Sequence, residues 1–358
     1  MSKIVSIGTA VPAFCHKQAD ILQFMQMVYA PTEADRRKMR YLYNQSGIEK
    51  RFSVVSDYGR PLSEWKFYPQ SEGLEPFPTL EQRMAIYHKQ APLLSVDAIR
   101  DCLHNVLHDH EVTHFITVSC TGMSAPGLDL QVMDMMDLGK SIFRTSVNFM
   151  GCYAAIHALR LADALCKAER NAKVLIVCTE LCTLHFQREA TLDNIISSML
   201  FGDGSAAALV VSDDVPLEGL TIDSFHSEVI VKGKRDMAWE ISSTGFLMTL
   251  TSYVPDLIEE DFSEVMDKVL DGASRNDVSH WCLHPGGKRI LEAMQKSTGI
   301  NPPALLHSYD VLKQHGNLSS ATILFVLKRM LADKNAIRKM VGVALGPGLT
   351  VETFTAHY

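Results

Sequence analysis

The sequence predicts an α/β protein in which two similar α/β halves share a central cleft. Short apolar runs rich in β-branched residues alternate with longer stretches of helical periodicity, an order typical of α/β folds. A strand, a polar turn and a helix of small residues follow one another in both halves. The length of 358 residues is enough for about two domains. Residues 212–219 have turn composition, so we predict one domain at residues 1–215 and a second at residues 216–358.

The N-terminal elements are predicted from periodicity and from its absence. Residues 3–12 have the pattern of a strand that ends in a turn, and residues 18–30 have the apolar spacing of an amphipathic helix. Residues 57–78 contain four prolines and show no periodicity, so we predict an ordered surface loop. Residues 80–107 return to a helical pattern.

The middle of the first half is predicted to contain buried strands. Residues 114–120 form a β-branched run that leads into a glycine-containing loop, and a helix is predicted at residues 128–138. Residues 173–180 are mostly apolar, as in a strand that is buried on both faces. The run at residues 201–211 is rich in small residues, which allow one backbone to approach another closely.

Cys152 lies where an apolar strand meets a helix. Residues 147–150 suit a buried strand, Gly151 permits a tight turn, and alanine and leucine recur at helical spacing over residues 155–165. The N–H groups and the dipole at a helix N-terminus favour the thiolate form of a cysteine, which is the nucleophilic form. The alternative is an inert buried cysteine, because free Cys is among the most buried residue types.

The second half is predicted to place a histidine at the end of a strand. It begins with an extended segment at residues 220–231 and a loop through Trp239, and a helix is predicted at residues 254–270. A short strand then ends at His284, and a helix at residues 289–298 follows it. A histidine at a strand end faces whatever lies above the sheet.

An asparagine begins the last helical segment. Asn317 lies in a turn that leads into a helix at residues 321–331, and two final strands flank residues 346–348. Cys152, His284 and Asn317 therefore each lie at an element end next to glycine, a pattern suited to side chains that converge. None of the three is specific alone, because a histidine is usually a satisfied core or surface residue and an asparagine at a helix start is usually a cap.

Composition and charge limit the possible functions. The net charge of −7 lacks the basic excess of a nucleic-acid-binding protein, and no apolar run reaches the roughly 18 residues that span a bilayer. Residues 1–8 lack the apolar region of a signal peptide, so we predict a cytoplasmic protein with reduced cysteines. A basic cluster, suited to phosphates unless it is a solvated helix face, consists of Arg36, Arg37, Lys38 and Arg40.

Five motifs carry a resemblance to a known family. They are Met150-Gly-Cys152-Tyr-Ala, Leu200-Phe-Gly-Asp-Gly-Ser-Ala-Ala-Ala, His284-Pro-Gly-Gly-Lys-Arg-Ile-Leu, Gly316-Asn-Leu-Ser-Ser-Ala and Gly346-Pro-Gly-Leu-Thr-Val-Glu-Thr353. Together, and in this order over nearly the whole chain, they resemble the type III polyketide synthases, the chalcone-synthase-like family. The resemblance implies a thiolase fold, in which two similar α/β halves form a layered αβαβα core.

The resemblance also implies a homodimeric enzyme that uses no metal and no cofactor. Such an enzyme loads an acyl group from acyl-CoA onto Cys152 and extends it with malonyl-CoA by repeated decarboxylative condensation. Ring closure then gives a pyrone, a resorcinol or a phloroglucinol-type product. His284 would hold the thiol as a thiolate–imidazolium pair. His284 and Asn317 would donate hydrogen bonds to the thioester enolate.

Further positions of the family's site can be carried over to this chain. Phe201 and Met248 match gatekeeping positions at the cavity entrance, and Met248 stands where chalcone synthase has phenylalanine. Other cavity positions fall on Cys120, Thr121, His185, Trp239 and Ser319. Coenzyme A contacts fall on Lys38, Arg40, Gly286, Gly287 and Arg289. Because Trp239 is bulky and Met248 is adaptable, we expect an aliphatic or small acyl starter and few extensions.

Several alternatives remain beside this interpretation. Within the fold, one alternative is a ketoacyl synthase III, which performs a single condensation. Such enzymes usually carry His-Gln-Ala-Asn where this chain has His284-Pro-Gly-Gly. A second alternative is a catalytically silent binding protein. Cys178, Cys182 and His185 offer three zinc ligands but no evident fourth. Papain-like proteases also use Cys, His and Asn, but their signature around the cysteine is absent. The starter, the number of extensions and the cyclisation depend on cavity volume to within a methylene or two.

Overall fold

The computed structural model describes residues 1–71 and 73–358, and of residues 333–335 it describes the backbone alone. The strands are β1 (Ser2–Ala10), β2 (Phe14–Lys17), β3 (Lys50–Ser53), β4 (His114–Ser119), β5 (Phe143–Asn148), β6 (Lys173–Leu181), β7 (Asp203–Ser212), β8 (Leu220–Val229), β9 (Met237–Ser242), β10 (Gly245–Leu250), β11 (His280–Leu283), β12 (Met340–Gly346) and β13 (Thr350–His357). The α-helices are α1 (Gln18–Tyr29), α2 (Glu33–Gln45), α3 (Leu80–Leu103), α4 (Leu128–Met133), α5 (Ala154–Ala168), α6 (Leu192–Leu200), α7 (Val254–Leu270), α8 (Lys288–Thr298), α9 (Leu306–His315) and α10 (Thr322–Met330). Within the described ranges, no helix combines the length and the apolar composition that a membrane crossing requires.

Nine strands form one mixed sheet in the order β11-β12-β13-β8-β1-β7-β6-β4-β5. The halves meet at the antiparallel pair β1–β8. From this junction outward, each side has two antiparallel pairs and then a parallel pair: β1–β7, β7–β6 and β6–β4 on one side, and β8–β13, β13–β12 and β12–β11 on the other. This repetition confirms the predicted α/β fold of two similar halves.

Helices α5 and α10 lie at the centre of the layered core. Four of the six alanines of α5 are fully buried, and α10 is buried from residue 322 to residue 327. One apolar cluster contains residues of both helices and of strands from both halves, for example Ile176 in β6 and Met340 in β12. The opposite faces of the strands pack in a second cluster with α1, α3, α7 and α8. Small residues on α5 allow this central helix to lie close to the strands.

Asp57 organises the loop that follows β3. Its buried carboxylate accepts hydrogen bonds from the backbone N–H groups of Lys66, Phe67 and Tyr68 at 2.8 to 3.0 Å. These charge-assisted bonds stabilise a segment that lacks a regular backbone ladder. The prediction of an ordered loop is confirmed for the part of residues 57–78 that the structure describes.

Three predicted elements differ from the observed ones. Helix α4 ends at Met133 and not at residue 138, because the N–H of Met135 bonds the carbonyl three residues before it and the helical ladder stops. Helix α3 ends at Leu103 and not at residue 107, because His104 leaves the helix with ψ 120° and Asn105 adopts φ +58°. The predicted loop through Trp239 is wrong, because residues 237–250 form the hairpin β9–β10. The hairpin was missed because apolar and polar residues do not alternate cleanly along its strands.

Candidate active site

A cavity of about 210 Å³ lies between the two halves, and its wall is mainly apolar. Of the fifteen residues that the sequence predicted for the site, twelve line this cavity. They are Cys120, Thr121, Cys152, Phe201, Trp239, Met248, His284, Gly286, Gly287, Arg289, Asn317 and Ser319. The other three, which do not line it, are Lys38, Arg40 and His185.

A turn that requires glycine places the Cys152 thiol. Gly151 has φ +82°, and a Cβ on it would lie 2.2 Å from Cδ of Pro347. The position therefore needs glycine for both its conformation and its space. Helix α5 begins at Ala154, two residues after Cys152, so the cysteine lies at a helix N-terminus as the sequence predicted.

Backbone pairing with the N-terminal half places Asn317. Its N–H donates to the carbonyl of Leu200 at 2.9 Å, and its carbonyl accepts from the N–H of Gly202 at 2.9 Å. Gly316 has φ +69°, and a Cβ on it would lie 2.6 Å from the Leu200 carbonyl oxygen. These contacts fix Asn317 beside Phe201, with which it forms a parallel bridge.

The side chains of Cys152, Asn317 and Ser319 meet in the cavity. Asn317 Nδ2 lies 4.0 Å from Cys152 Sγ, and Ser319 Oγ lies 3.8 Å from the same sulfur. The ring of His284 is 1% exposed, and among the described residues neither of its nitrogens has a hydrogen-bond partner. Buried polar groups are normally paired. The two unpaired ring nitrogens of His284 are therefore available for hydrogen bonds to a substrate.

Burial decides the protonation of the two reactive groups. It raises the pKa of Cys152 to about 12, and hydrogen bonds from Ser319 and Asn317 lower it only in part. Burial also lowers the pKa of His284 to about 3. Both shifts favour a thiol and a neutral imidazole at rest, whereas the sequence predicted a thiolate–imidazolium pair, and labelling of Cys152 as a function of pH distinguishes the two. Burial disfavours both charges, and this effect outweighs the helix N-terminus.

The β9–β10 hairpin forms one wall of the cavity. Trp239 lies directly opposite Met248 in the hairpin, and its Nε1–H donates to the carbonyl of Cys120 at 2.7 Å. Trp239, Met248, Phe201 and Cys182 also line a second cavity of about 50 Å³. These four side chains therefore separate the two cavities.

His185 supports this wall from the second cavity. Its Nε2–H donates to the carbonyl of Thr121 at 2.7 Å, and its Nδ1 accepts from the N–H of Phe246 at 3.1 Å. The ring stacks on Phe246 with centroids 4.1 Å apart, and burial lowers its pKa to about 3. The structure thus places His185 behind Trp239, in the second cavity, with both ring nitrogens bonded within the protein, and its place in the polyketide cavity stays a prediction.

Helix α2 presents one of its predicted basic residues on the side of the cavity. Leu42 and Gln45 line the cavity, and Lys38 shares their face because it precedes them by four and seven residues. Arg40 lies on a different face, where its Nη2 is 2.7 Å from Oε1 of Glu33. The structure thus distinguishes two residues that the sequence had grouped together.

The start of α8 forms another part of the cavity rim. Gly286, Gly287 and Arg289, for which the sequence predicted coenzyme A contacts, line the cavity, and so does Lys288, which the sequence analysis missed. A helix N-terminus with adjacent basic side chains favours anionic groups. The signal for Lys288 was present, since it stands between two predicted residues.

Glu180, at the end of β6, is a buried carboxylate behind the cavity. It accepts hydrogen bonds from the Cys120 N–H at 2.9 Å, from the Thr121 hydroxyl at 2.9 Å and from the Ser320 hydroxyl. Burial raises its pKa to about 7. The Glu180 side chain therefore links residues of the two halves below Cys152. In the sequence, the only sign of this role was a charged residue within an apolar run.

Arg51 is a third residue that sequence reasoning missed. It is 3% exposed, and its guanidinium donates to Gln18 Oε1 at 3.0 Å and to the carbonyl of Phe201. Its Cδ lies so close to Gly316 that a Cβ there would be 2.8 Å away. Arg51 therefore supports both Phe201 and the turn that carries Asn317.

The zinc alternative is not realised in the described part of the chain. No group of three or more His, Cys, Asp or Glu residues is placed there to hold a metal ion. Cys178 packs in the central core, Cys182 lines the cavity, and both nitrogens of His185 are occupied. The three residues of the motif therefore have separate roles.

Two domain models of the chalcone and stilbene synthases match the chain. The N-terminal model matches residues 1–214, and the C-terminal model matches residues 221–358. A putative chalcone synthase of Bacillus subtilis is 31% identical, over 98% of this chain and 97% of its own length. An alpha-pyrone synthesis polyketide synthase-like protein of Mycobacterium tuberculosis is 28% identical, over 98% of this chain and 89% of its own length. The chain spans only 11% of a third relative, a probable polyketide synthase 1 of Dictyostelium discoideum, at 28% identity.

Solved structures show the same architecture. The polyketide synthase PKS-I from the brown alga Ectocarpus siliculosus superposes with a TM-score of 0.93 at 25% identity, covering 99% of this chain and 98% of that one. The C-terminal type III polyketide synthase domain of a type I/III hybrid from Dictyostelium superposes with a TM-score of 0.92 at 27% identity, covering 99% of each chain. Together with the sequence matches, they show a polyketide synthase architecture over nearly the whole chain.

Proposed function

Since the chain belongs to the family of chalcone and stilbene synthases, the type III polyketide synthases, we propose that it loads an acyl group from acyl-CoA onto Cys152 and extends it with malonyl-CoA. The extension is an iterative decarboxylative condensation, and ring closure to a pyrone, a resorcinol or a phloroglucinol-type product ends it. The observation that carries this proposal is the meeting of Cys152, His284 and Asn317 in one mainly apolar cavity. The CoA thioesters are substrates, and no further cofactor takes part.

Acyl loading moves a proton from Cys152 as the sulfur attacks. The sulfur is a thiol at rest because burial raises its pKa to about 12, and a reducing cytoplasm, the location we propose, keeps it free. Neutral His284 accepts the proton while the S–C bond to the acyl carbonyl forms. As the bond to the coenzyme A sulfur breaks, His284 returns the proton to the departing thiolate.

Chain extension needs hydrogen-bond donors for an enolate. When malonyl-CoA loses CO₂, the electron pair of the broken C–C bond forms a thioester enolate. Asn317 Nδ2, which lies 4.0 Å from Cys152 Sγ, and an N–H of His284 donate to its oxygen in a cavity with a mainly apolar wall. The enolate carbon then attacks the acyl carbonyl, and the S–C bond to Cys152 breaks with its electron pair on the sulfur, which takes up a proton from the solvent. The lengthened chain leaves on coenzyme A.

The shape of the cavity favours a slim starter. Its volume is about 210 Å³, and Trp239 is held in the wall by its hydrogen bond to the Cys120 carbonyl. Met248, opposite Trp239, is unbranched and adapts to its neighbours. We therefore propose an aliphatic or small acyl starter and few extensions.

Strand β5 supports a homodimer. In the described sheet it is an edge strand that pairs with β4, and four of its six residues are exposed. Phe143 on this strand is 55% exposed, and Met123 and Met135 before it are 45% and 41% exposed. An open edge with apolar side chains favours association, so a second copy of the chain would cover it.

The test is incubation with a panel of acyl-CoA starters and ¹³C-labelled malonyl-CoA, followed by liquid chromatography with mass detection. We expect product masses that contain two or more malonyl-derived units, and none from Cys152→Ala, whose fold is checked by circular dichroism. Product from Cys152→Ala at the unsubstituted level would contradict the mechanism. A single labelled unit with every starter would instead indicate a ketoacyl synthase III type of reaction.

A further inference from the structure

The Asn317 amide is held in one orientation. Its Oδ1 accepts from the N–H of Ser319 at 2.8 Å, and its Nδ2 donates to the carbonyl of Gly286 at 3.1 Å. A backbone N–H only donates and a carbonyl only accepts, so these two partners determine which amide atom faces which side. Nδ2 and Oδ1 both lie 4.0 Å from Cys152 Sγ, but Oδ1 is engaged by Ser319, and the second N–H of Nδ2 is left for the cavity.

Thr322 closes the turn that provides this arrangement. Its hydroxyl accepts from the N–H of Leu318 at 2.9 Å, donates to the carbonyl of Ser319 at 2.7 Å and lies 3.3 Å from Asn317 Oδ1. Thr322 is fully buried at the start of α10. Removal of the hydroxyl would leave a buried N–H and a buried carbonyl without this partner.

Ser319 needs the support of this turn because its backbone is strained. It has φ +49°, in the left-handed region that a residue with a Cβ seldom adopts. Such conformations persist where the surrounding structure holds them. The Thr322 hydroxyl bonds the carbonyl of Ser319, and the N–H of the same Ser319 is the donor that fixes the Asn317 oxygen.

We infer that Thr322 is a positioning residue for malonyl-CoA decarboxylation. It holds Ser319, Ser319 holds the Asn317 oxygen, and the Asn317 nitrogen is thereby directed to the enolate. Without the hydroxyl, the amide can rotate and present its oxygen, an acceptor, to an anion. The inference rests on the proposed function, because the enolate is the species that the amide stabilises.

The first test is Thr322→Val, which removes the hydroxyl and keeps the shape of the side chain. We expect kcat for malonyl-CoA decarboxylation to fall about tenfold while KM stays the same, since the loss concerns an interaction of the transition state. Thr322→Ser keeps the hydroxyl and should retain most of the rate. Thr298→Val is the matched control, because Thr298 is also buried and its hydroxyl bonds the Met294 carbonyl of its own helix.

The second test repeats Thr322→Val in an Asn317→Ala background. Here Thr322→Val should cause no further loss, because the group that it positions is absent. An equal tenfold loss in both backgrounds, no loss in either, or a Thr322→Ser rate as low as that of Thr322→Val would overturn the inference. If Thr322→Val does not fold, Thr322→Ala removes the same hydroxyl and takes its place. Failure of the unsubstituted chain to decarboxylate malonyl-CoA would contradict the proposed function itself.

Discussion

The thiol of Cys152 and the imidazole of His284 lie in a site that disfavours charge until a substrate is present. Burial shifts the two pKa values in opposite directions, to about 12 and about 3, and each shift favours the neutral form. A neutral thiol is a poor nucleophile toward small electrophiles between turnovers. In the loading step that we propose, attack on a bound thioester with simultaneous proton transfer to His284 avoids a free thiolate.

Alkylation of Cys152 should therefore rise steeply with pH. Because the pKa of this thiol is raised to about 12, the thiolate fraction grows about tenfold per pH unit between pH 7 and pH 9. The rate of iodoacetamide labelling, followed by mass spectrometry of the peptide that contains Cys152, should rise in proportion. A rate that is already constant between pH 6 and pH 8 would instead show the thiolate–imidazolium pair.

Among the helices, α2 contributes the basic side chain that we expect to contact coenzyme A. Lys38 shares a face with Leu42 and Gln45, which line the cavity, whereas Arg40 pairs with Glu33. Lys38→Ala should raise KM for acyl-CoA and malonyl-CoA about threefold to tenfold at low salt, with kcat unchanged. Initial rates at several salt concentrations measure this, and the difference should shrink as salt rises.

Arg40→Ala serves as the matched control on the same helix. Its charge is already neutralised by Glu33 at 2.7 Å, so KM should stay within about twofold of the unsubstituted value. Equal KM values for the Lys38→Ala and the unsubstituted enzyme would show that the basic cluster is a solvated helix face.

The β9–β10 hairpin should control product length through Trp239. The indole of Trp239 lines both the cavity that contains Cys152 and the second cavity of about 50 Å³. Trp239→Gly should join the two and lengthen the product by at least one malonyl-derived unit, because a cavity limits chain growth by its volume. The product masses across the starter panel provide the measurement.

Trp239→Phe separates the volume of the indole from its hydrogen bond. It keeps an aromatic ring in the wall but removes the donor to the Cys120 carbonyl. We expect the original product lengths from this variant. Unchanged masses from Trp239→Gly would mean that the indole does not limit the chain.

At the scale of the whole molecule, the open edge of the sheet should determine the oligomeric state. Phe143 on β5 is 55% exposed, and a charge there would oppose burial in an interface. Phe143→Asp should shift a dimer to a monomer in analytical ultracentrifugation at micromolar concentration. Phe14→Asp, on the two-stranded β2–β3 sheet, should remain a dimer. A dimeric Phe143→Asp variant would place the interface elsewhere.

The sequence by itself determined most of the succession of elements and pointed to the three residues Cys152, His284 and Asn317, which line one cavity. Periodicity predicted β4, β6, α5 and α7 because the pattern of a strand or helix lies in consecutive residues. Gly151 and Gly316 marked the positions of Cys152 and Asn317, because both glycines have positive φ and lie against other backbone or side-chain atoms. Motifs of this kind are local, so they can be read without the fold.

Only the tertiary structure decided which predicted residues line the cavity and how burial shifts their pKa values. Trp239 is set by its contact with Cys120, and His185 by its contacts with Thr121 and Phe246; these partners are distant in the chain, so no local pattern contains them. The raised pKa of Cys152 likewise results from desolvation in a cavity that residues of both halves line. Desolvation depends on everything that surrounds a group, and for this reason it exists only once the two halves have closed around the cavity.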